Sequence, residues 1–131
     1  MKRILMVTFM FLLTVCLVGC KSDKISTISY ESFKEKVDKK ESLILFFGES
    51  ETMETTLNNV LNNHDLEAYK IKTKNLTDDE INELKLIIDY EDPSICFIIK
   101  GDNPSKLTNI TDEYVTETKI ENVLKDLEFI K

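Results

Sequence analysis

Leu43-Ile44-Leu45-Phe46-Phe47 is apolar without interruption, the pattern of a central strand covered on both faces. Gly48 ends it. The rhythm then lengthens: Met53, Leu57, Val60 and Leu61 fall at i, i+4, i+7 and i+8, with Asn and Thr between them. That spacing predicts a helix that opens after Ser50 and stops near Asn62-Asn63-His64-Asp65, with His64 placed to interact with the helix dipole. Leu66 to Thr73 alternates as a strand does, with Tyr69 and Ile71 on one side. Thr77-Asp78-Asp79-Glu80 reads as a capping box, opening a helix whose apolar stripe is Ile81, Leu84, Ile87 and Ile88.

Asp92-Pro93 interrupts the chain, and Ile95 to Ile99 is a second buried strand. Gly101-Asp102-Asn103-Pro104 predicts a turn and Lys106 to Thr111 an antiparallel partner. Thr118 to Glu121 forms a second capping-box pattern, leading a helix with Ile120, Val123, Leu124, Leu127 and Ile130 on one face. Upstream, Ser29 stands as N-cap before Tyr30, Phe33 and Val37 at helical spacing, and Ile25 to Ile28 suits a further strand. Strands separated by helices call for right-handed parallel crossovers, and a hairpin adds an antiparallel edge. The predicted class is therefore α/β, three layers, with a mixed central sheet of four to five strands flanked by helices.

The remaining apolar run is different in kind. Lys2 and Arg3 precede Ile4 to Val18, and Leu17-Val18-Gly19-Cys20 closes it. A bilayer span needs about 20 apolar residues. This run is shorter and has the charged start, apolar middle and small-residue end of a secretory signal. Its last four residues resemble the lipobox of bacterial lipoproteins. That resemblance implies lipidation of Cys20, a signal peptide at 1–19, a lipidated N-terminus and tether at 20–28, and a folded domain at 29–131. Acyl chains would then anchor the protein to the outer side of the cell membrane.

Charge narrows the partners. The whole chain carries a net −7, and without residues 1–19 it has fifteen basic against twenty-four acidic side chains, a net of about −9. Such a surface repels phosphate backbones, so nucleic acid is excluded as a partner. Of the three cysteines, the lipobox resemblance implies that Cys16 leaves with the signal and that Cys20 takes the lipid. Cys96, alone in an apolar strand, reads as a packing residue. With His64 the one histidine and no D-x-D-x-D-G spacing, neither a catalytic triad nor a familiar calcium loop is supported, and no cofactor is expected.

From Ile25 to Lys131 the chain resembles the thioredoxin family. Leu43 to Gly48 is similar to the strand before the redox corner, Pro93 before Ile95 to Ile99 to the family's cis-proline, and the closing hairpin and helix to its C-terminal half. The departure falls on the chemistry. Laid on the motif Trp-Cys-x-x-Cys, Ser50 stands for Trp, Glu51 for the first Cys, Thr52 and Met53 between, and Glu54 for the second. Thiol–disulfide exchange needs a thiolate to attack and a thiol to resolve, and carboxylates do neither. The family's redox activity is therefore not expected.

The same resemblance brings the proline loop beside this corner, so Glu49, Glu51, Glu54, Asp89, Glu91 and Asp92 are expected on one face. Carboxylates in a first helical turn are favourable in any protein, which by itself accounts for Glu51 and Glu54. As a site, the face would suit a cationic peptide or protein. The sequence thus predicts a redox-inactive binding or accessory module. An assistant in envelope or bacteriocin-type peptide export or immunity is the alternative, and a carboxylate-based hydrolase comes third, because glycosidase pairs need two differently environed carboxyl groups.

Overall fold

The computed structural model describes residues 22–100, 102–108 and 115–131, and within 102–108 the side chain of Lys106 alone. The signal segment 1–19 and Cys20 lie outside the described residues. Five strands form one mixed sheet in the order β1-β3-β2-β4-β5. They are β1 (Ile25–Thr27), β2 (Leu43–Phe47), β3 (Ala68–Ile71), β4 (Ser94–Ile99) and β5 (Asp102–Thr108). The helices are α1 (Tyr30–Asp38), α2 (Glu51–His64), α3 (Asp78–Ile87) and α4 (Glu117–Asp126). β1, β3 and β2 run parallel, β4 runs antiparallel to β2, and β5 antiparallel to β4.

The unbroken apolar run of β2 does what its pattern requires. Ile44 and Phe46 face a cluster with Met53, Leu57, Val60 and Leu61 of α2 and Ile120 and Leu124 of α4. Leu43, Leu45 and Phe47 face the opposite cluster, with Tyr30 and Phe33 of α1 and Leu84 and Ile88 of the α3 end. Each such side chain, fully buried, contributes about 1.5–3 kcal/mol, so these two half-cores hold the three layers together.

Caps set the helix ends. Ser29 and Ser50 accept from the N–H groups of Ser32 and Met53, and Thr77 and Glu80 form the reciprocal capping box. At the end of α2, Asp65 takes a left-handed conformation with φ 51° and closes the last turn on Leu61. α4 begins two residues earlier than the Thr118 pattern predicts. Thr116 is the cap, its hydroxyl accepting from Lys119 N–H at 3.2 Å. Val115 just before the cap and Ile120 four positions inside it belong to one buried cluster, the arrangement of a hydrophobic staple, and that fixes the entry point.

Two further boundaries move. β5 starts at Asp102, which pairs with Ile99, so the reversal falls between these two residues, with Lys100 at φ 52°, and residues 102–104 belong to the strand and not to the turn. A two-residue hairpin loop favours such positive φ. Pro104 is tolerated because β5 is an edge strand with a register shift opposite Phe97 and Ile99. The part of the predicted strand at 109–111 lies outside the described residues. At the other edge, Ile25–Thr27 joins β3, so the folded unit reaches into the 20–28 stretch read as a tether. Ser22 and Lys24 are already tied to α2 through Asn62 and Asn58.

Candidate functional site

Directly after Phe47 the chain must leave the sheet and enter α2. Gly48 makes the turn with φ +96°, a conformation that L side chains rarely adopt. Its surroundings are equally exclusive, since a Cβ there would lie 1.9 Å from Asp92 Oδ1 and 2.9 Å from Pro93 Cα. The loop before β4 is therefore seated against the corner, and its Asp92–Pro93 peptide bond is cis. Under the loop, the Tyr90 ring stacks on Phe47 with centroids 4.6 Å apart. Burial first, then the charge of Asp92, pushes the Tyr90 phenol above its ordinary pKa. The buried Ser94 hydroxyl donates to the Glu91 carbonyl and fixes the other side of the loop.

Around this corner the six carboxylates named from sequence take two kinds of position. Glu51 is the exposed first residue of α2 and Asp92 is exposed beside Gly48, and neither has an ion-pair partner among the described residues. The other four meet lysines. Glu49 sits 2.8 Å from Lys74, whose ammonium holds the Glu49 carboxyl below the usual carboxylate range. Glu54, one turn into the helix, lies 3.2 Å from Lys70, which also covers the Phe46 ring at 5.4 Å. Asp89 and Glu91 share Lys106, at 3.7 and 3.3 Å. The face is thus of mixed charge, not uniformly acidic.

Lys70, Lys72 and Lys74 belong to none of the sequence motifs. Their signal was the alternation Lys-Ile-Lys-Thr-Lys at 70–74, running off the end of β3. With Gly48, Glu49 and Asp92 they line a cleft of about 320 Å³. It lies at the carboxyl ends of the parallel neighbours β2 and β3, whose following helices pass to opposite faces of the sheet. Open α/β sheets place ligands in crevices of this kind.

Cys96 lies beneath the loop, its Sγ 3.5 Å from Ser94 Oγ. It is fully buried in β4, and burial pushes its thiol up to about 11, so it is a poor nucleophile at neutral pH. His64 ends α2 and approaches Glu121 of α4 at 3.5 Å, linking the two helices of one layer. Among the described residues no group of three or more His, Cys, Asp and Glu gathers in a way that could hold a metal ion.

No family model matches the chain, and no curated protein sequence does. Solved structures do match. A protein described as a candidate oxidoreductase with a thioredoxin fold superposes with a TM-score of 0.61 at 9% identity, covering 76% of this chain and 92% of its own. Chloroplastic thioredoxin z gives 0.57 at 19% identity over 82% and 96%, and oxidised thioredoxin O2 from Arabidopsis thaliana 0.57 at 12% over 80% and 95%. The fold is thioredoxin-like. Identities this low carry the architecture and nothing finer. Within the thioredoxin-like frame, the first turn of α2 with Glu51 and Glu54 is joined through Gly48 to the loop of cis Pro93.

Proposed function

We propose that the chain is a lipid-anchored extracytoplasmic module whose thioredoxin-like domain binds a peptide or protein segment at this corner, without thiol–disulfide exchange. The observation that carries the reading is the pairing of an assembled corner with the wrong atoms for redox work. Gly48, Asp92 and Pro93 are packed together, while residues 51 and 54 are carboxylates. A carboxylate neither attacks a disulfide sulfur nor resolves a mixed disulfide.

The lysines refine the partner and do not reverse its sign. Six carboxylates against Lys70, Lys72, Lys74 and Lys106 leave the face acidic, which favours a cationic peptide or a Lys-rich loop. Exposed pairs such as Glu49–Lys74 are screened by solvent and add little, so a partner's cations can replace them. Attraction between opposite surface potentials speeds encounter and weakens with salt. The anchor rests on Cys20 and the apolar run before it.

Two measurements test the two halves. Metabolic labelling with a fatty acid is expected to mark the wild type and not Cys20→Ala; equal labelling removes the anchor. Capture from native membranes at low salt is expected to lose partners when Glu51→Lys and Glu54→Lys are combined. An unchanged partner list removes the binding corner.

A further inference from the structure

The three parallel strands all begin at one end of the sheet. Ile25 pairs with Ala68 and Leu45 with Tyr69, so the entries to β1, β3 and β2 lie side by side. β4 runs the other way, with Leu43 opposite Ile98, which returns Lys100 to this same end, where its N–H donates to Ser42 Oγ at 3.1 Å. The opposite end holds Phe47 paired with Ile71 and Ser94, followed by Gly48, Lys72 and the Pro93 loop. The two ends are about 17 Å apart, five residues at roughly 3.3 Å each.

Ser22 belongs to the first end. Its carbonyl accepts from Asn62 Nδ2 at 2.9 Å, and Lys24 Nζ reaches Asp65 at 3.2 Å. From Ser22 back to Cys20 is a span of two residues, about 7 Å at full extension. An anchor on Cys20 would therefore hold this end close against the bilayer, with little freedom to turn.

The loops at this end carry Lys39, Lys40 and Lys100, all exposed and without an ion-pair partner among the described residues. Nearby acids are partly neutralised, Glu41 by Lys36 at 3.7 Å and Asp65 by Lys24. Asp23, Asp38 and Glu67 remain, with Asp126 and Glu128 at the end of α4, but a lysine's four-carbon stem reaches further toward a headgroup than a carboxylate does. We propose that Lys39, Lys40 and Lys100 rest on anionic lipid headgroups and that this contact turns the Gly48–Pro93 corner away from the membrane. The inference rests on the lipid-anchor reading. Paired acyl chains already give stable attachment, so these lysines set the orientation of the domain and not its anchorage. Each lysine near an anionic surface strengthens binding by about fivefold.

The experiment couples the chain from Cys20 onward, through that thiol, to a maleimide phospholipid; buried Cys96 does not compete. Vesicles are either pure phosphatidylcholine or phosphatidylcholine mixed with phosphatidylglycerol. A brief pulse of an impermeant amine reagent, read by mass spectrometry, then reports each lysine. On the anionic vesicles Lys39, Lys40 and Lys100 are expected to react several-fold more slowly than on the neutral ones, and high salt to abolish the difference. Lys72 and Lys74 are expected to react equally on both. Equal reactivity at all five positions, or protection at Lys72 and Lys74, overturns the proposal. Failure of the anchor itself shows separately, as absent fatty-acid labelling of Cys20 in cells, and leaves this coupled-vesicle result unaffected.

Discussion

Gly48→Ala is expected to destabilise the domain by about 2–4 kcal/mol, the combined cost of a side chain in a strained backbone region and of overpacking. The first part comes from φ +96°, where alanine gains nothing from its surroundings to offset the strain. The second comes from two different obstacles. Asp92 Oδ1, 1.9 Å from the new methyl, is the tip of an exposed side chain and can swing out. Pro93 Cα at 2.9 Å is backbone and can retreat only if the loop lifts from the corner. Adding Asp92→Ala should therefore recover only the smaller share. For a domain of this size the loss corresponds to a melting point lower by on the order of 10 °C. Denaturant unfolding of wild type, Gly48→Ala and the double variant checks it. A loss below about 1 kcal/mol would mean that the 89–93 loop is not seated on the corner, and the candidate site would come apart with it.

What could be read from the sequence was whatever a local pattern decides. Five apolar residues in a row at 43–47 gave a two-sided strand because each face of β2 meets its own helical layer. Thr77 and Glu80, three apart, contain both halves of a reciprocal cap. The errors fell where the deciding partner is distant or where two local signals compete. Thr118-x-x-Glu121 satisfied the capping pattern, but Val115 is the residue anchored in the core, and it hands the cap to Thr116. Gly101 and Pro104 signal a turn over 101–104, whereas the pairing of Ile99 with Asp102 puts the reversal between those two residues.

Charge at the site was the hardest part to foresee. The six carboxylates are visible as residues. Their lysines come from other elements: Lys74 pairs with Glu49 across 25 positions and Lys70 with Glu54 across 16. Such pairs exist only once β3 is laid parallel beside β2. The close approach of Gly48 to Pro93 is likewise a product of sheet order, and only the resemblance to the thioredoxin family anticipated it.

Replacing Glu51 and Glu54 together by cysteine is expected to create disulfide-reductase activity about tenfold or more above the wild-type background, since the substitution supplies a nucleophile and a resolving thiol in one step. The frame for that chemistry is already assembled. Position 51 is the exposed first residue of α2, where unpaired N–H groups and the helix dipole favour a thiolate. Position 54 follows one turn later, half-buried, with Lys70 Nζ beside it to support negative charge on a sulfur. Pro93 borders the corner through Gly48. Ser50 in place of the family's Trp should keep the rate below that of a thioredoxin. The check is insulin reduction with a dithiol reductant, together with the mass lost when the new pair oxidises. Glu51→Cys alone should trap mixed disulfides without turning over, because nothing resolves them. If the double variant forms no internal disulfide, the first turn of α2 does not have the geometry described. If the wild type itself turns over, the redox-silent reading of Glu51 and Glu54 fails, whatever the variant does.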